Sequence, residues 1–217
     1  MHAARASKTV IVSLLGAAVI AGFGFRITLP AGAAQVPETQ TAVLAGGCFW
    51  GLEGVFEALK GVRHVVAGYS GGSALSAHYE IVSTGLTGHA ESVSITYDPR
   101  EISYASLLKV YFLVAHDPTE SNRQGPDYGP QYRSEIFYTS NAQKNVAQLM
   151  IRRLTDAKAF SAPIVTEVAP LRAFYAAEPY HQHYMALHPN DPYIATFDAP
   201  KLDHLKADFS SLLGAKS

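Results

Sequence analysis

The chain of 217 residues has one cysteine, one tryptophan and three methionines. One cysteine excludes an internal disulfide framework and any zinc site built on paired thiolates. Charged side chains are scarce at 16%, the net charge is −1, and no dense run of Lys and Arg occurs. A nucleic acid is therefore not an expected partner. Low-complexity tracts and repeats of fixed period are also absent, and twelve Tyr and ten Phe argue against a disordered chain. The length and a hydrophobic share of 48% suffice for one well-filled domain.

The amino terminus lacks acidic residues altogether: all 18 lie after residue 34. His2, Arg5 and Lys8 precede an uncharged apolar run over 9–25, and the small residues Ala31-Gly32-Ala33-Ala34 follow. That is the pattern of a secretory signal with its cleavage site. Ser13, Gly16, Gly22 and Gly24 interrupt the run, which is short for a membrane span. Residues 1–34 are expected to be a secretory signal peptide, 35–40 a linker and 41–217 a single catalytic domain. The protein is then exported, to a bacterial periplasm; an uncleaved N-terminal anchor facing the periplasm is the alternative. A lone thiol in an oxidising compartment either hides in the core or reacts.

Its surroundings favour reaction. Residues 41–46 form a short apolar strand ending in Gly-Gly, and Leu52, Val55, Phe56 and Leu59 then recur at helical spacing. Cys48 is thus at a strand-to-helix junction, where the unpaired N–H groups of the first turn favour thiolate and lower the pKa. Phe49 and Trp50 follow it, as walls of a pocket or as core packing. A strand over 62–69 and a half-buried strand over 91–97 come next. Ser103 caps a helix that ends before Asp117-Pro118, and a Gly/Pro-rich loop over 123–133 leads to a strand at 135–139. A helix over 141–158, a strand over 164–168, a helix over 178–187 and a final helix over 201–213 are expected. The order β-α-β-β-α-β predicts an α+β fold: a ferredoxin-like split β-α-β core, a mainly antiparallel sheet with helices packed on it, and an elaborated C-terminal wrap.

Glu91 breaks the pattern of its strand. It shares a face with Val93, Ile95 and Tyr97, where burial would raise its pKa and make it a general acid; the alternative is a strand-end carboxylate that reaches water. Tyr79, Tyr128, Tyr132 and Tyr138 offer neutral hydroxyl donors, and Asp127 and Tyr132 lie in the Gly/Pro-rich loop. His181, His183 and His188 lack zinc-site spacing, so no metal is expected. His89 and His116 read as structural hydrogen-bonding residues. On these residues alone three classes remain open: a thiol oxidoreductase, a cysteine hydrolase or acyltransferase using a histidine such as His89, and a non-catalytic thiol sensor.

Gly47-Cys48-Phe49-Trp50-Gly51, Gly68-Tyr69-Ser70-Gly71-Gly72, Thr87-Gly88-His89-Ala90-Glu91 and Gly129-Pro130-Gln131-Tyr132-Arg133-Ser134 resemble, in this order, the A-type methionine sulfoxide reductases, the peptide-methionine (S)-S-oxide reductases. Tyr180-His181-Gln182-His183-Tyr184 is similar to theirs as well. The resemblance implies that Cys48 is the nucleophile and Glu91 the acid that protonates the sulfoxide oxygen. Tyr79 and Tyr132 would hold that oxygen, Phe49 and Trp50 would line the pocket for the S-methyl group, and Asp127 would orient the substrate. It implies methionine sulfoxide in peptides or proteins as substrate and no bound cofactor or metal. Many members of the family carry further cysteines near the C-terminus; here the region reads Asn190-Asp191-Pro192-Tyr193-Ile194-Ala195. The expected partner is therefore an external reductant, thioredoxin-like or glutaredoxin-like, acting on a monomer.

Overall fold

The computed structural model describes residues 38–214. The expected signal segment (1–34) and residues 35–37 of the expected linker lie outside the described residues. Gln40, the linker's last residue, already belongs to the first strand, where its side-chain carbonyl accepts a 2.8 Å hydrogen bond from the Tyr97 hydroxyl.

The elements run β1 (Gln40–Ala45), α1 (Phe49–Glu57), β2 (Val62–Ser70), the single turn α2 (Tyr79–Val82), β3 (Ala90–Tyr97) and α3 (Tyr104–Val110). A small hairpin follows, β4 (Arg123–Gln124) with β5 (Asp127–Tyr128), and then β6 (Glu135–Tyr138) and α4 (Asn141–Asp156). The chain ends with β7 (Glu167–Pro170), β8 (Phe174–Ala176), α5 (Tyr184–Leu187) and α6 (Ala199–Asp208). In the six-stranded sheet the order is β7-β6-β1-β3-β2-β8. Its four central strands, β6-β1-β3-β2, are antiparallel throughout, which is the ferredoxin-like core expected from the element order. β7 adds to one edge in parallel and β8 to the other in antiparallel sense, so the C-terminal chain covers both edges.

Local chemistry explains most of these elements. Leu52, Val55 and Phe56 are fully buried, so α1 lays its apolar stripe on the sheet. The Ser103 hydroxyl accepts from the Ser106 N–H at 3.0 Å and caps α3, which widens into a π turn at Tyr111–Ala115 before extended His116 ends it. α1 stops at Glu57, and Gly61, with φ +86°, serves the turn into β2. β3 is buried over more of its length than a half-buried strand, because Val93, Ile95 and Tyr97 pack into the main core and Ala90 into a second cluster. A small second cluster of Val43, Ala45, Ala90 and Phe137, capped by Leu171 and Phe174, also forms.

Three expectations are corrected. The strand expected at 164–168 lies at Glu167–Pro170, since its partner β6 begins only at Glu135, which pairs with Glu167. Val165 instead donates its N–H to the Pro118 carbonyl, holding this stretch against a loop. The helix expected at 178–187 is broken into a 3₁₀ turn, Pro179–His181, and the short α5. Gln182 causes the break: its side chain bonds both the N–H and the C=O of Ala67, and His183 then turns left-handed at φ 56°. The helix expected over 201–213 starts earlier, at Ala199, and ends at Asp208, with a 3₁₀ turn, Ser210–Leu212, after it. Among the described residues no helix is long and apolar enough to cross a membrane.

Candidate active site

Cys48 is the N-cap residue of α1, with non-helical backbone (φ −57°, ψ 127°), and is 8% exposed. The turn before it is fixed from outside. Gly47 has φ +90°, and a Cβ there would meet the Gln124 side chain at 2.5 Å. Gln124 in turn grips Asp117 through both backbone groups. The β4–β5 hairpin that carries Asp127 is thereby held against the turn that carries Cys48.

Glu91 reaches the same helix start from β3. Its Oε2 accepts a 3.1 Å hydrogen bond from the Phe49 N–H, one of the unpaired donors of the first turn. The residue is 2% exposed. Burial pushes its carboxyl up to about 8, with Asp127 and Asp198 adding to the rise against the lowering by the Phe49 N–H. A carboxylic acid that keeps its proton at neutral pH therefore stands beside a thiol, as the strand pattern predicted.

The thiol itself corrects the sequence. The helix start was expected to lower its pKa; burial instead pushes the Cys48 thiol well up, and the Glu91 and Asp198 carboxyls add to the rise. A hydrogen bond from the Trp50 backbone and the Lys201 ammonium act in the lowering direction without prevailing. The helix N-terminus is real, but an acid already occupies part of it.

One cavity of about 180 Å³ gathers Cys48, Phe49, Trp50, Tyr79, Glu91, Asp127 and Tyr132. These are the seven residues to which the resemblance gives a role, drawn from the start of α1, from α2, from β3 and from the 123–133 loop; Tyr128 and Tyr138 do not line it. Burial raises the Tyr79, Tyr132 and Tyr193 hydroxyls, so they remain neutral donors. Tyr193, the eighth lining residue, escaped sequence reasoning. It lies 145 positions beyond Cys48 in an irregular stretch, without a periodic signal. Its hydroxyl donates to Asp127 Oδ2 at 2.5 Å, and its ring meets Trp50 edge-on.

His181 also takes a part the sequence did not suggest. Its Nδ1 accepts from the Trp50 indole N–H at 3.1 Å, while its ring packs on Phe49 and Tyr79 at 4.9 and 4.5 Å. Trp50 is further stacked on Tyr184, with centroids 3.8 Å apart. The aromatic wall is thus locked in orientation. The three neighbouring histidines do not converge: His183 pairs with Glu57, and His188 lies on Tyr184. Among the described residues, the one His/Cys/Asp/Glu group close enough to hold an ion is Glu53, Glu57 and His183, and none of these lines the cavity. His89 has both ring nitrogens occupied by the backbone of Gly72 and Ser73, so it does not act as a base on Cys48.

A lone thiol beside a protonated acid and neutral hydroxyls, under an aromatic wall, suits a polar oxygen attached to an apolar sulfur. The comparison with known proteins agrees. The sequence pattern of the family "Peptide methionine sulfoxide reductase" matches residues 40–212. The chain belongs to this family. Peptide methionine sulfoxide reductase MsrA 2 of Mesorhizobium japonicum is 53% identical over 180 residues, 83% of this chain and 92% of that protein. MsrA of Thermus thermophilus is 49% identical over 178 residues, 82% of this chain and 99% of that protein. Among solved structures, reduced Mxr1 of Saccharomyces cerevisiae superposes with a TM-score of 0.66 at 32% identity, covering 70% of this chain and 87% of that one. Methionine sulfoxide reductase A of Corynebacterium diphtheriae gives 0.61 at 34%, covering 71% and 77%. As a peptide methionine sulfoxide reductase the chain is an oxidoreductase that returns methionine sulfoxide to methionine and so repairs oxidised proteins.

Proposed function

We propose that Cys48 attacks the sulfur of methionine S-sulfoxide while Glu91 protonates its oxygen, with Tyr79 and Tyr132 as hydrogen-bond donors to that oxygen. Phe49 and Trp50 receive the S-methyl group, and Asp127, fixed by Tyr193, orients the substrate. The observation that carries this is the shared cavity: thiol, protonated acid and hydroxyls face one small volume under an aromatic wall. A thiolate cannot displace oxide ion, so protonation of the oxygen must accompany attack. The substrate sulfur gains two electrons and leaves as methionine; Cys48 loses two and becomes the sulfenic acid, Cys–SOH. The proton that leaves the thiol restores Glu91, so the step consumes no net proton. Because both groups are protonated before substrate arrives, thiolate forms as Glu91 gives up its proton.

With one cysteine in the chain, no internal thiol attacks the sulfenic acid. An external thiol, thioredoxin-like or glutaredoxin-like, displaces water to form a mixed disulfide, and a second thiol frees Cys48. Thiol, acid and donors come from the chain itself, so this chemistry asks for no bound metal or cofactor, and one chain supplies the whole cavity, so a monomer suffices. The purified chain with dithiothreitol is expected to reduce the S epimer of methionine sulfoxide and leave the R epimer unchanged. Turnover of the R epimer, or of neither, would remove the assignment of stereochemistry and of site together.

The basic start, apolar run and small residues at 31–34 support export to the periplasm with residues 1–34 removed. The mass of the chain recovered from periplasmic extract is expected to correspond to a start near residue 34 or 35. Recovery of the full-length mass in the membrane fraction would favour the uncleaved anchor.

A further inference from the structure

Asp198 ends a π turn, Ile194–Asp198, and opens α6 with no solvent exposure. Its Oδ1 accepts a 2.9 Å hydrogen bond from Lys201 Nζ, and its buried Oδ2 has no hydrogen-bond partner. The pair rests on the bare Cα of Gly51: a Cβ there would lie 2.1 Å from Asp198 Oδ1 and 2.8 Å from Lys201 Nζ. Gly51 is the third residue of α1, counted from the N-cap Cys48. An N-cap side chain is directed at the second and third residues of its helix, so the sulfur and the ion pair share one turn. Asp198 is fully buried while Lys201 is partly exposed; a buried carboxylate is costly to place, and packing alone would be served as well by an apolar side chain.

Every other charged or titratable group that faces Cys48 already has a place in the reaction or in the wall. Glu91 comes from β3, Tyr79 from α2, Asp127 from β5, Tyr132 from the 3₁₀ turn Pro130–Tyr132, Tyr184 from α5, and Tyr193 is the residue before the π turn. Lys201 is the one cation among them. We propose that Asp198 and Lys201 are positioning residues for the reaction, an ion pair whose two charges act on Cys48 in opposite senses: Lys201 favours the thiolate, Asp198 opposes it and holds Lys201 in place. The proposal rests on Cys48 as the nucleophile. It adds a control on that sulfur from α6, a part of the chain that the sequence motifs did not touch.

The single cysteine makes the test clean, because alkylation by iodoacetamide reports Cys48 alone. The rate is followed against pH for wild type, Lys201→Met, Lys201→Arg and Asp198→Asn, with circular dichroism to confirm folding. Lys201→Met is expected to move the midpoint up and Asp198→Asn to move it down, each by about one pH unit, and Lys201→Arg to restore the wild-type profile. Midpoints that stay put, or that move in the same direction in both variants, overturn the proposal and leave the pair a packing element. If Lys201→Met does not fold, Asp198→Asn decides alone: a downward move supports the proposal, and no move or an upward one ends it. Failure of the nucleophile assignment would look different. An alkylated enzyme that still turns over would refute Cys48 as nucleophile, whatever the midpoints do.

Discussion

Cys48→Ser is expected to abolish reduction of methionine sulfoxide, to below detection over many turnovers. A serine hydroxyl is a far weaker nucleophile toward sulfur than a thiolate, and no other cysteine is present to replace it. The variant should fold: serine differs from cysteine only in the chalcogen atom and is a favourable N-cap residue. Loss of activity with an unchanged melting temperature therefore separates chemistry from stability. Wild-type enzyme exposed to S-sulfoxide without reductant should also release about one methionine per chain and stop, with a trappable sulfenic acid on Cys48. Residual multiple turnover by Cys48→Ser would mean that some other group attacks the substrate.

Glu91→Gln carries the second large effect, on two observables at once. Loss of a positioned general acid should slow the reduction step by about 10²- to 10⁴-fold. Wild-type activity should fall as pH rises through about 8, where the Glu91 carboxyl loses its proton, and the variant should lack that limb. The sign for stability follows from the same group. Its folded pKa is raised from 4.5 to about 8, so the folded state holds a proton that the unfolded state releases. Stability is then lost as pH rises from the unfolded toward the folded value, by a ceiling on the order of 5 kcal/mol. Glutamine keeps the acceptor for the Phe49 N–H and carries no charge. Its melting temperature relative to wild type should therefore climb between about pH 5 and pH 9. A difference independent of pH would show that Glu91 does not titrate in the fold and would remove it as the acid.

Much of this was legible in the chain because the relevant signals are local. Cys48 stands where an apolar run meets a helical repeat, and Glu91 interrupts an alternating strand. Each irregularity is visible within about ten residues. The order of elements sufficed for the ferredoxin-like core, since periodicity and a cap such as Ser103 depend on near neighbours. Legibility faded after residue 160. There β7 takes its register from β6, β8 exists because β2 offers an open edge, and the helix over 178–187 breaks where Gln182 finds Ala67. Those partners are distant in sequence, and no local pattern announces them.

The sequence by itself determined the chemistry available: one thiol, one acid out of pattern, hydroxyl donors, aromatic residues, and no second cysteine to reset the first. Tertiary structure alone decided how these groups behave. Folding brought Tyr193 onto Asp127, His181 onto the Trp50 indole, and Asp198 with Lys201 onto Gly51. It also reversed the expected sense of the thiol's pKa. A helix start favours thiolate, but desolvation and nearby carboxyls act on the same sulfur, and their sum depends on burial and distances that only the packed chain sets.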